Sequence, residues 1–75
     1  MTEKPTSRAR LTPDERRDMI VRAGVSVAKA GEHGVYDATY DSVADACEAP
    51  TSRWTVKHYF PTVAELRGAV SEAMA

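Results

Sequence analysis

The stretch that decides the fold is APTSRWTVKHYFPTVAEL, residues 49–66, in which two prolines delimit a short segment. A proline disfavours helical geometry in the residue before it, so Pro50 and Pro61 each mark a helix boundary. Two hydroxyl residues directly after Pro50 can cap the N-terminus of a new helix. The stretch therefore predicts a short helix over residues 52–60, with another helix beginning after Pro61.

At about 100° per residue, this predicted third helix has two faces of different chemistry. Val56, Tyr59 and Phe60 fall together on one side, which we expect to pack into the core. The opposite side has two cations, an indole and an imidazole, and it has no carboxylate. These four residues are Arg53, Trp54, Lys57 and His58.

An outer face of this kind is typical of a surface that contacts a nucleic acid. Arginine can donate two hydrogen bonds to guanine, while lysine, hydroxyl groups and helix N-termini can contact phosphate. The alternative is that Trp54 folds back over Pro50 and covers the small core. The candidate DNA-binding residues of this segment are Thr51, Ser52, Arg53, Trp54, Thr55, Lys57 and His58.

Upstream, the sequence predicts a long first helix over about residues 13–30. Thr12 and Glu15 have the spacing of a capping box, and Pro13 suits the first helical position. We expect Gly24, inside this helix, to allow close packing of another helix. The predicted buried stripe consists of Met19, Ile20, Ala23, Val27 and Ala30.

Two further helices complete the prediction. Val35 and Tyr36 lie in a predicted extended link and are expected to cover the core. Thr39 can cap a short second helix that ends before Pro50. A second Thr-x-x-Glu box opens the fourth helix after Pro61. Its buried stripe should be Leu66, Ala69, Val70 and Ala73. With no strand pattern, we predict an all-α bundle of about four helices containing a helix-turn-helix, of the homeodomain-like kind.

Length and composition favour one small globular domain. The chain has 75 residues, 43% hydrophobic and 28% charged, with a formal net charge of −1. We divide it into a flexible basic arm, residues 1–11, and a folded domain, residues 12–75. A core of this size is unlikely to enclose a substrate cavity, so a site should lie on the surface.

Several classes of function are not expected. Cys47 is the only cysteine, so no intrachain disulfide can form, and we expect its side chain in the core. The two histidines and this cysteine do not have the spacing of metal ligands. We therefore expect no enzyme activity, no metal and no cofactor. With no signal peptide pattern and no apolar run of membrane-spanning length, we expect a cytoplasmic, nucleoid-associated protein.

The charges are unevenly distributed along the chain. Residues 1–29 hold seven of the ten basic residues, whereas residues 30–50 contain no Lys or Arg and carry five acidic residues. In the arm, Arg8 and Arg10 precede the first helix closely, as minor-groove arms do in other helix-turn-helix proteins. We therefore add Arg8 and Arg10 to the candidate DNA-binding residues.

Residues 16–70 resemble the N-terminal DNA-binding domain of the tetracycline-repressor (TetR) family of transcriptional regulators, both in the order of the predicted helices and in several motifs. The family's pattern Ser-x-Gly-Thr-Leu-Tyr-x-Tyr/His-Phe corresponds to residues 52–60, and Thr62, Glu65 and Leu66 follow as in the family. The chain departs from the pattern at Trp54, where Gly is common, and at Lys57, where Tyr is common. The turn CEAPTS is two residues longer than the family's.

The resemblance implies sequence-specific binding to double-stranded DNA by a transcriptional regulator of the repressor-like kind, with the third helix in the major groove. Family members normally continue into a larger helical domain that binds a small molecule and forms the dimer. The chain ends at Ala75, so we expect no small-molecule effector, and a weak homodimer only if another surface provides it.

The alternative function is a protein-interaction module on the same scaffold. Here the acidic region, residues 32–48, would bind a protein partner, as in an antirepressor or a modulator of a host protein. Salt separates the two hypotheses, because DNA affinity falls steeply with rising salt whereas an apolar protein contact changes little.

Overall fold

A computed structural model of the protein describes residues 12–75 and shows an all-α domain. Four α-helices form it, and we name them α1 (Pro13–Ala30), α2 (Tyr40–Ala46), α3 (Arg53–Tyr59) and α4 (Val63–Met74). Residues 12–75 contain no β-strand, so the predicted all-α bundle is confirmed. None of the helices described has the length and apolarity to cross a membrane. The predicted arm, residues 1–11, lies outside the described residues.

Hydroxyl caps set where the helices begin. Thr12 accepts a hydrogen bond from the Glu15 amide at 3.1 Å, and the Glu15 carboxylate accepts one from the Thr12 amide at 3.0 Å. This is the predicted capping box, and it satisfies two amides that lack intrahelical partners. The other three α-helices begin after Thr39, Ser52 and Thr62, each of which accepts a hydrogen bond from a first-turn amide.

The core is formed by aliphatic side chains from all four helices. The largest fully buried side chains are Ile20, Val43, Val56, Leu66 and Val70. Helix α1 packs against both α2 and α4, whereas α3 packs mainly against α2.

Close contact between α1 and α4 depends on a glycine. A Cβ atom placed on Gly24 would clash with Cγ2 of Val70, and it would also contact Val43. The prediction that Gly24 allows close helix packing is therefore confirmed.

The segment between α1 and α2 differs from its prediction. Residues Gly34–Asp37 form a 3-10 helix and not an extended link, and Gly34 has a φ of 61°. Tyr36 is 70% exposed, so its predicted place in the core is wrong. Arg67 on α4 donates hydrogen bonds to the carbonyls of Tyr36 and Ala38 at 3.0 and 3.3 Å. Its guanidinium lies 5.4 Å from the Tyr36 ring centroid, so the ring covers an arginine at the surface.

The predicted buried stripes are correct in the middle of the helices and wrong at their ends. Ala30, the last residue of α1, and Ala73, near the end of α4, are exposed, and Val27 is only half-buried. In the last turn of α1 the buried residue is Ala28, and not Val27 or Ala30, so the buried face at that end differs from the predicted stripe.

Candidate nucleic-acid interface

Helix α3 is held by the first turn of α2. The Tyr40 hydroxyl donates a hydrogen bond of 2.7 Å to the carbonyl of Phe60, which follows the last residue of α3. The neighbouring Asp41 carboxylate lies 3.4 Å from Nε of Arg53, the first residue of α3. A helix of seven residues is only about 10 Å long. Two adjacent residues of α2 therefore contact both ends of α3.

The connection from α2 to α3 comprises residues 47–52, the CEAPTS turn, and is longer than the three or four residues usual in a helix-turn-helix. The Thr51 hydroxyl donates a 2.9 Å hydrogen bond to the Ala49 carbonyl within it. Cys47 packs half-buried against the core, as the sequence predicts. Burial raises the pKa of its thiol, and a hydrogen bond with Thr51 and the charge of Arg16 act in the opposite direction.

The two faces of α3 are arranged as its sequence predicts. Val56 and Phe60 are buried and Tyr59 is half-buried, whereas Arg53, Trp54, Lys57 and His58 are exposed. The Trp54 side chain is 68% exposed, so the alternative in which it covers the core is wrong.

Cations lie beside the exposed indole. The Arg53 guanidinium carbon is 5.6 Å and the Lys57 ammonium nitrogen 6.0 Å from the Trp54 ring. These distances are within the range of cation–π attraction, which is worth about 0.5–1 kcal/mol at exposed sites. The indole therefore helps to hold both charges near the same part of the outer surface.

Arg16 of α1 also lies at the outer surface of α3, although the sequence pattern does not predict a role for it. Together with Trp54, Thr55, His58 and Tyr59 it lines an open groove between α1 and α3. The available signal was its position four residues before the buried Ile20, because residues at i and i+4 share one helix face. Such spacing places Arg16 toward the core side of α1, but only tertiary structure shows that α3 lies beside it.

The hydroxyl groups at the start of α3 form hydrogen bonds within the chain. Ser52 caps the helix by accepting a hydrogen bond from the Thr55 amide, and it lies 3.3 Å from the Thr55 hydroxyl. The Thr51 hydroxyl donates to the loop. Phosphate contacts by these residues stay predictions, and those of Arg8 and Arg10 fall outside the described residues.

The acidic region, residues 32–48, is only partly engaged within the domain. Asp37 accepts a 3.0 Å hydrogen bond from the His33 amide, and its other oxygen lies 3.5 Å from the His33 ring. Asp41 is paired with Arg53, whereas Asp45 is exposed and forms no salt bridge with any residue of 12–75.

Comparisons with protein-family models, curated proteins and solved structures give no match to this chain. Within residues 12–75, no three His, Cys, Asp or Glu side chains are grouped as a metal ion would require. The function of the chain is therefore inferred from the geometry and chemistry of the α3 surface.

Proposed function

We propose that this domain binds double-stranded DNA with α3 in the major groove and acts in transcriptional regulation. The observation that carries the proposal is the outer face of α3, where two cations and an indole are exposed together without a carboxylate on that helix. The resemblance of residues 16–70 to the TetR-family DNA-binding domain supports the same function.

In this proposal, each exposed side chain on α3 and the nearby Arg16 contacts a particular part of the DNA. Arg53 can donate paired hydrogen bonds to a guanine, and Lys57 can bind a phosphate or a base acceptor. The exposed faces of Trp54 suit an apolar contact such as a thymine methyl group. Arg16, across the groove on α1, adds a charge for the DNA backbone. Helix α2 supports α3 at both ends, so the contacts are presented from a fixed position.

The overall charge favours local and selective contact over indiscriminate binding. A formal net charge of −1 provides no general attraction to DNA. Affinity must therefore come from the surface formed by α3 and the start of α1, with the arm as a further contribution.

Replacing Lys57 with alanine tests the proposal most directly. The structure makes Lys57 a cleaner choice than Arg53, because Arg53 also contacts Asp41. Lys57→Ala should weaken binding to genomic DNA fragments severalfold and lower the slope of log affinity against log salt by about one. Titrations at several salt concentrations measure both quantities.

Lys29→Ala is the matched control, since it removes the same charge from an exposed lysine. Lys29 lies 13 residues along α1 from Arg16, or about 20 Å from the groove. This variant should bind DNA as the parent does. Equal effects from Lys57→Ala and Lys29→Ala would contradict the assignment of α3. Binding of a protein partner that Lys57→Ala leaves unchanged and Asp41→Ala with Asp45→Ala abolishes would favour the acidic region.

A further inference from the structure

The ion pair between α2 and α3 joins an acidic residue to the candidate base-contacting arginine. Asp41 lies at the start of α2, and its carboxylate is 3.4 Å from Nε of Arg53. Both side chains are exposed, at 70% and 57%, so the pair is accessible to a ligand. The pair therefore does not isolate Arg53 from DNA.

The atom that Asp41 contacts determines what Arg53 can still do. A guanidinium has five N–H donors in a fixed planar fork, and Nε supplies one of them. A carboxylate on Nε leaves the terminal Nη groups, which are the donors that bind guanine O6 and N7 together. It also restricts rotation of a long side chain that would otherwise lose conformational entropy on binding.

We infer that Asp41 is a positioning residue that orients Arg53 for a bidentate contact with guanine. This inference rests on the proposed function, because it names the base that the α3 surface selects. The carboxylate has a second effect, since its negative charge repels phosphate and lowers affinity for DNA of any sequence. Asp41 thus favours guanine recognition while it weakens general binding.

These two effects give Asp41→Asn a distinctive outcome. Loss of the charge should raise affinity for random duplexes, whereas loss of the fixed orientation should reduce the preference for guanine. A simple electrostatic role would raise affinity without changing the base preference. Asp45→Asn is the control. Asp45 carries the same charge one helical turn along α2 from Asp41, and it forms no salt bridge in the described part of the chain.

The experiment is enrichment of bound sequences from a random 20-base-pair duplex library with four proteins: parent, Asp41→Asn, Asp45→Asn and Arg53→Ala. Parent and Asp45→Asn should enrich a guanine at one position, with a preference of roughly tenfold over other bases. Asp41→Asn should lose most of this preference, and Arg53→Ala all of it. Placing 7-deazaguanine, which lacks the N7 acceptor, at that position should weaken binding by the parent but not by Arg53→Ala.

The inference is overturned if Asp41→Asn enriches the same guanine as strongly as the parent, or if no guanine preference depends on Arg53. Failure of the proposed function has a different result, namely that the parent enriches no sequence and binds no duplex. Asp41 is also an acidic residue in the first turn of α2, where it stabilises the helix. Thermal unfolding of all four proteins measures that contribution separately, and it does not alter a base preference.

Discussion

At the scale of single residues, the burial of a side chain on α3 is set by its angle around the helix. The 100° periodicity of α3 placed Val56 and Phe60 inside and Trp54 outside, and the structure agrees. The pattern places Tyr36 wrongly because its position has two causes that periodicity does not show. These are the positive φ of Gly34 and the hydrogen bonds from Arg67, which is 31 positions further along the chain.

Alanine substitutions at two helical glycines should change the stability of the domain in opposite directions. Gly24→Ala should destabilise the domain by about 1–3 kcal/mol, because its Cβ would clash with Val70 in a packed interface. Gly68→Ala should stabilise it by up to about 1 kcal/mol, since apart from adjacent residues and the helix's own backbone no atom lies within 4 Å of the new Cβ, and alanine is the better helix former. Urea denaturation measures both, and equal free-energy changes would contradict the packing of α1 on α4.

At the scale of helices, the starts could be predicted because hydroxyl caps act on neighbouring residues, whereas α2 ends at Ala46 and does not continue to Pro50 as predicted. The starts of α1 and α4 fall directly after Thr12 and Thr62, as their Thr-x-x-Glu patterns indicate. The support of α3 by α2 could not be predicted. It depends on which side chains meet across the turn, and Asp41 was assigned only to an acidic region.

The hydrogen bond from Tyr40 to Phe60 gives the element-scale prediction. Tyr40→Phe should lower the free energy of unfolding by about 0.5–1.5 kcal/mol, because a part-buried carbonyl at the end of α3 loses its donor. Tyr36→Phe is the control, since the exposed Tyr36 hydroxyl makes no hydrogen bond within residues 12–75. Chemical denaturation of both variants tests it. Equal stabilities would show that this hydrogen bond does not secure α3.

At the scale of the whole molecule, the charges are unevenly distributed. Cations lie on α3 and at the start of α1, where acidic side chains are interspersed with them, while residues 32–48 contain only acidic charges. The sequence predicted the composition of each region, because charge runs are visible in the printed chain. The groove that brings Arg16 to Trp54 could not be predicted, since these two residues lie 38 positions apart in the chain.

The last prediction concerns the predicted arm, residues 1–11, whose arginines would add charge to the proposed DNA-binding surface. Deleting residues 1–10 removes Arg8 and Arg10 and should weaken DNA binding, with a salt slope smaller by up to about two. Deleting residues 1–7 keeps both arginines and should leave most of the affinity. The thermal midpoint should change little in either case, since the buried side chains of the described residues lie between Met19 and Val70. DNA titrations and thermal melts test this directly, and unchanged affinity after the longer deletion would show that the two arginines contact no phosphate.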